Sequence, residues 1–144
     1  MTAVYIETSA LLRWVFGEHG AGRVASLMES APDPVSSVLT LLEAQRAIVR
    51  ARSQDSAAAT STLRLVELLV RLSRRWTLAE VSADVRARAA RSFPVEPVRT
   101  LDAIHLSTAL EFAKVFPGLS VLTFDRRILA NLEPLGLTPA TVDG

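Results

Sequence analysis

Four acids stand out by where they fall. Glu7 follows the apolar run Ala3-Val-Tyr-Ile, and Asp125 follows Leu119-Ser-Val-Leu-Thr-Phe124. Glu43 interrupts the apolar stretch Val38-Leu-Thr-Leu-Leu, and Asp102 comes two residues after Thr100, in the first turn of an expected helix. Each has an ordinary reading: a strand-end surface acid for Glu7, a solvated residue for Glu43, a helix-dipole partner for Asp102, an N-cap for Asp125. Brought together in one crevice they would repel unless a cation held them. Oxygen donors of this kind suit Mg²⁺ or Mn²⁺. The chain has no cysteine and only two histidines, His19 and His105. Thiolate metal sites, disulfides and a cysteine nucleophile are therefore excluded, and a histidine-rich metal site nearly so. His105 follows Asp102 by three residues, but a buried, hydrogen-bonded core histidine is the better reading than an Asp–His metal pair.

The elements that must position these acids follow from apolar pattern and punctuation. A strand at Ala3–Ile6 leads into a helix Ala10–Phe16, with Thr8 and Ser9 offering caps and Gly17 the stop. Gly22–Ser30 reads as a second helix, and Pro32-Asp33-Pro34 as a break. A strand at Val35-Ser36 precedes a long helix to about Ser53, capped by Ser36 or Ser37. Asp55 starts another helix ending near Arg75, with Leu65, Leu68, Leu69 and Leu72 as its apolar stripe. Trp76–Val81 reads as the third strand, and Ser82 caps a helix to about Phe93. Thr100 caps the helix Leu101–Phe116, and Leu119–Phe124 is the clearest strand. A helix then runs to about Glu133, and a last strand lies near Ala140–Val142. Short apolar strands separated by helices pair in parallel through right-handed crossovers. The expectation is an α/β sandwich in one domain, 1–144, a length that buries a core without staples. Ligands in such sheets sit beyond the carboxyl ends of the strands, where Glu7 and Asp125 fall.

Net charge is +1, but it is unevenly spread. Between Arg46 and Arg91 ten arginines face four acids, which leaves the remainder of the chain acidic. A basic middle beside an acidic remainder suggests a polyanion partner, against the plainer reading of arginines solvating outer helix faces. The first cation is Arg13, so no secretion leader is expected, and the longest uncharged stretch is ten residues, Val115–Phe124. That is short of the ~18 a membrane span needs, and a cytoplasmic protein without membrane contact is expected.

Other α/β chemistries fail on specifics. A dinucleotide fold needs a glycine-rich turn after its first strand, where this chain has Glu7-Thr-Ser-Ala. Neither GxxxxGK[ST] nor GxSxG occurs, and the sole lysine, Lys114, is mid-helix rather than at a strand end.

Tyr5-Ile-Glu7-Thr-Ser9-Ala-Leu, Leu-Leu-Glu43-Ala-Gln-Arg46-Ala, Leu101-Asp102-Ala-Ile-His105-Leu-Ser-Thr108-Ala and Leu122-Thr-Phe-Asp125-Arg-Arg, in this order, resemble the PIN-domain nucleases. Within that family the likeness is to VapC-type toxins of bacterial toxin–antitoxin pairs, and it covers essentially the whole chain. The resemblance implies a three-layer sandwich with a short, mostly parallel central sheet and about seven helices. It implies a metal-dependent endoribonuclease in which Glu7, Glu43, Asp102 and Asp125 bind Mg²⁺ or Mn²⁺ to activate water at a phosphodiester. Ser9 and Thr123 are placed to hydrogen-bond a carboxylate or a metal-bound water. Arg64, Arg71, Arg74 and Arg75 are the candidates for holding the RNA backbone. The implied partners are RNA, a cognate antitoxin and a second copy in a homodimer. The Trp14-Val-Phe16 and Leu65/Leu69/Leu72 stripes read mainly as core, with a partner groove as the alternative. One departure matters: the family's first acid is normally Asp, and here it is Glu7, one methylene longer. Weakened metal-dependent cleavage is one expected consequence. A PIN-like module that binds RNA or an antitoxin without cleaving is the alternative function.

Overall fold

The computed structural model describes residues 3–54 and 59–141. Five parallel strands form one sheet in the order β3-β2-β1-β4-β5. They are β1 (Val4–Ile6), β2 (Pro34–Ser37), β3 (Thr77–Ala79), β4 (Ser120–Leu122) and β5 (Thr138–Pro139). Between them run α1 (Thr8–Val15), α2 (Ala21–Ser30), α3 (Val38–Gln54), α4 (Ala59–Ser73), α5 (Ala83–Ala89), α6 (Thr100–Val115) and α7 (Arg126–Leu132).

Alternation along β1 explains the three layers, because neighbouring strand residues face opposite sides. Val4 and Ile6 pack with Leu11, Val24, Met28, Ile48 and Leu69 of α1–α4. Tyr5 joins Ala103, Leu106, Ile128 and Leu132 of α6 and α7 on the other face. All three β1 residues are buried, as befits a central parallel strand covered on both sides. The Leu65/Leu69/Leu72 stripe and Trp14 belong to the core, whereas Phe16 is exposed. No helix among the described residues is long and apolar enough to cross a membrane.

Several boundaries differ from the sequence expectation. Glu7, not Thr8 or Ser9, caps α1: its carboxylate accepts the Ser9 N–H, while the Ser9 hydroxyl turns to Glu7 and to the Phe124 N–H. α6 begins at Thr100 itself, with Arg99 at the cap position. α5 stops at Ala89, short of Phe93, whose N–H goes to the Glu96 carboxylate. The last strand is Thr138–Pro139, with the Ala140 N–H still reaching Val121. The expected helix start at Asp55 and strand end at Val142 lie outside the described residues. Ser82 caps α5 as expected, and Ser37 accepts the Leu39 N–H at the start of α3.

Candidate active site

Ile6 pairs with Leu122, so the residues just beyond them, Glu7 and Thr123, emerge level at the carboxyl edge of the sheet. The Glu7 N–H extends the pairing to the Leu122 carbonyl at 3.0 Å. Asp125 follows at the cap of α7, while α3 and α6 bring Glu43 and Asp102 to the same edge. The four acids line one cleft of about 370 Å³, together with Thr8, Ser9, Arg99 and His105.

Each acid has a partner within the protein. Glu7 Oε1 accepts from the Ser9 and Thr123 hydroxyls, both at 2.5 Å, and Oε2 accepts the Ser9 N–H at 3.1 Å. Glu43 Oε1 accepts from Thr8 Oγ1 and His105 Nε2, both at 2.7 Å. A carboxylate only accepts, which assigns the Nε2 proton to His105 and leaves Nδ1 to accept the Tyr5 hydroxyl at 2.8 Å. Burial by itself pushes the Glu43 carboxyl up, but the hydrogen bonds from His105 and Thr8 and the nearby Arg99 charge bring it below the ordinary value. Burial and the Glu7 charge push the Tyr5 phenol well above its ordinary range, so it serves as a donor.

Asp102 and Asp125 share a cation that sequence reasoning missed. Arg99 reaches Asp102 Oδ2 through Nε at 3.3 Å and Asp125 Oδ2 through Nη2 at 3.4 Å. Asp102 also accepts the Arg99 N–H, and Asp125 Oδ1 accepts the N–H groups of Arg127 and Ile128. The capping reading of Asp125 and its place in the cleft are thus both realised, one oxygen for each. The hydrogen bond from Arg99 to Asp102 raises the guanidinium pKa further, so Arg99 is a permanent charge here.

The acids, Ser9 and Thr123 are brought together as expected. Arg64, Arg71, Arg74 and Arg75 are not: none lines the cleft or the groove beside it. Arg74 and Arg75 precede β3 at the amino edge of the parallel sheet, opposite the cleft, and Arg75 bonds the Ala31 carbonyl there. Thr8 and His105 hold Glu43, roles that their readings as a cap and a core histidine do not contain. The spacing of Arg99 three residues before Asp102 is the sequence signal for the bridging cation.

The donor set, four carboxylates with two hydroxyls beside them, suits a hard divalent ion such as Mg²⁺ or Mn²⁺. As the side chains stand, no three acidic or histidine groups among the described residues converge to hold one. The set fits the ion in its chemistry, with Glu43 and Asp102 each holding their protein donors through one oxygen.

Comparison with known proteins agrees with this architecture. The PIN domain family model matches residues 4–133. Ribonuclease VapC35 of Mycobacterium tuberculosis is 34% identical over 136 residues, 93% of each chain. The crystal structure of M. tuberculosis VapC20, a sarcin-ricin loop cleaving toxin, aligns with a TM-score of 0.64 at 19% identity, over 88% of this chain and 93% of that one. A toxin–antitoxin complex from Klebsiella pneumoniae aligns at 0.65 and 18% identity, over 97% and 98%. A family model spanning nearly the whole chain and a full-length relative place it: the chain belongs to the PIN-domain family, as a VapC-like member.

Proposed function

We propose that this protein is a metal-dependent endoribonuclease, the toxin of a toxin–antitoxin pair. The observation that carries the reading is the convergence of Glu7, Glu43, Asp102 and Asp125 on one cleft at the carboxyl edge of β1 and β4. These acids would hold Mg²⁺ or Mn²⁺, which when bound neutralises phosphate charge and makes water more acidic. The chain's own residues set the stage. Ser9 and Thr123 fix Glu7, and the Tyr5–His105 pair with Thr8 fixes Glu43. Arg99, exposed at the rim, is the cation that meets an incoming phosphate.

The toxin relatives and the toxin–antitoxin neighbour support an antitoxin partner. The exposed Leu42, Val49, Leu63 and Leu68 of α3 and α4 offer apolar surface to it. One feature favours the second reading, a module that binds without cleaving: both oxygens of the longer Glu7 are engaged by protein donors. The deciding experiment uses purified, antitoxin-free protein and labelled RNA. Cleavage with Mg²⁺ or Mn²⁺, abolished by EDTA and by Asp102→Asn, is expected. Cleavage indifferent to both overturns the metal mechanism, and RNA binding without cleavage favours the module.

A further inference from the structure

Beside the acidic cleft lies a groove of about 520 Å³ that shares Ser9, Leu12 and Asp125 with it. Its walls come from α1 and α3. Arg13, Phe16 and Glu18 lie on one side, Arg50 and Ala51 on the other, with Phe124 also among the lining. Resting on the nuclease reading above, we propose that this groove binds the nucleotide adjoining the scissile phosphate of the RNA.

Three observations support a nucleotide. First, groove and cleft adjoin, since Ser9, Leu12 and Asp125 line both, so a chain whose phosphate lies on the acids has its neighbouring nucleotide within reach of the groove. Second, the groove carries two arginines held in different ways. The Arg13 guanidinium lies 4.4 Å from the Phe124 ring centre, donates to the His19 carbonyl at 3.2 Å and has Glu18 3.9 Å away. It is a fixed cation, partly neutralised. Arg50 is exposed, and no side-chain partner of its guanidinium is found among the described residues, so its charge is available to a phosphate. Third, Phe16 is 39% exposed where the rest of its apolar stripe is core, and it lines the groove with both arginines. Exposed aromatic side chains in cationic grooves hold single-stranded bases by stacking. The volume lies within the roughly 300–1,000 Å³ of small-ligand sites. The Arg-rich middle of the sequence thus contributes through Arg50, from the helix that also carries Glu43.

The test is fluorescence anisotropy with a labelled single-stranded oligoribonucleotide of mixed sequence, in EDTA so that binding is read without cleavage. Arg50→Gln should weaken binding about tenfold at low salt. It should also reduce the slope of log affinity against log salt by about 0.7. Arg50→Lys should keep the slope. Phe16→Ala should weaken binding roughly five- to tenfold with the slope unchanged. Calorimetric Mn²⁺ affinity should be unaltered in all three. If the parent binds and cleaves RNA while these variants match it in affinity and slope, the groove is not a nucleotide site, though the nuclease reading stands. If they lose antitoxin binding and keep RNA binding, the groove is a peptide site and the proposal is wrong. A parent that binds no RNA here and cleaves none with Mg²⁺ or Mn²⁺ overturns both.

Discussion

Thr123 offers a sharp test of how the site is held. Its hydroxyl donates to Glu7 Oε1 at 2.5 Å and accepts the Asp125 N–H at 3.1 Å. Thr123 is 6% exposed and Glu7 4%, so water cannot readily replace either bond. Thr123→Val removes the hydroxyl while keeping size and β-branching. Losing a hydrogen bond to a charged acceptor costs about 1.5–3 kcal/mol, and leaving the Asp125 N–H without its acceptor adds about 1 kcal/mol. The sum of about 2.5–4 kcal/mol corresponds to a melting temperature lower by about 8–15 °C for a chain of this size. Ser9 still holds Glu7 through its hydroxyl and N–H, so the helix cap survives and the variant should fold. Urea unfolding at neutral pH in EDTA measures the loss. Pairing Thr123→Val with Glu7→Gln in a double-mutant cycle reads the part of the contact due to the carboxylate charge, because the Gln oxygen still accepts the hydroxyl, with a coupling of at least about 1 kcal/mol expected. Additive effects, or a Thr123→Val loss below about 0.5 kcal/mol, would show that this bond does not hold the carboxylate.

Other expectations follow from the remaining charged groups. Arg99→Gln leaves Asp102 and Asp125 without their shared cation, so it should melt lower than the parent in EDTA and gain more from Mn²⁺. Equal Mn²⁺ gains in thermal melts would rule out competition between Arg99 and the ion. Glu43 has a folded pKa below its ordinary value of 4.5, so its stabilisation is present above that value and fades as pH falls through the lower folded one. Urea midpoints of parent and Glu43→Gln should therefore converge below about pH 4.5, and curves that stay parallel would refute the assignment. Glu7→Asp keeps a good capping residue but withdraws the carboxylate from Thr123, so it should lower stability in EDTA. If the pocket is built around Glu, Mg²⁺-dependent cleavage will not rise in that variant; a rise of about tenfold would show that it is not. Arg74→Glu with Arg75→Glu should leave RNA affinity within about twofold, and a larger fall would place RNA at the amino edge of the sheet.

The fold is legible in the sequence wherever an element carries its own pattern. β1 and β4 are apolar runs that end near an acid, and α4 carries the apolar stripe Leu65, Leu69 and Leu72 that packs into the core. β5 escapes such reading because two residues, one of them Pro139, carry no alternation; its position is set by pairing with β4. The cap of α1 is hidden because Thr8 and Ser9 both look like caps in sequence, yet their hydroxyls are used across the fold, by Glu43 and Phe124. The four acids can be named from position and family resemblance, but not their partners. The bonds from Thr123 to Glu7 and from His105 to Glu43 join residues 116 and 62 apart, and no local rule predicts such contacts. Repulsion among the acids is the natural expectation from their number. Arg99, His105 and the hydroxyls give each acid a hydrogen-bond donor, but Arg99 is the one permanent cation lining the cleft among the described residues, so net negative charge is left for a metal ion to neutralise.

The arginines show most clearly what composition leaves open. A surplus of positive charge between Arg46 and Arg91 is compatible with a polyanion or with solvated helix faces, and does not say at which end of the sheet a polyanion would bind. In a parallel sheet that question is decided by direction along the chain. Residues that follow a strand lie at its carboxyl edge, with Glu7 and Thr123; residues that precede one lie at the opposite edge. Arg74 and Arg75 come just before β3, and their charge is therefore presented away from the acids. Arg50 belongs to α3, which starts from the carboxyl end of β2, and it lines the groove that adjoins the cleft. Arg99 precedes no strand but begins α6, whose first turn supplies Asp102 to the cleft. Chain direction thus sorts equally basic residues into those that can share a phosphodiester with the acids and those that cannot. The same polarity that gathers four carboxylates at one edge selects the cations able to work beside them.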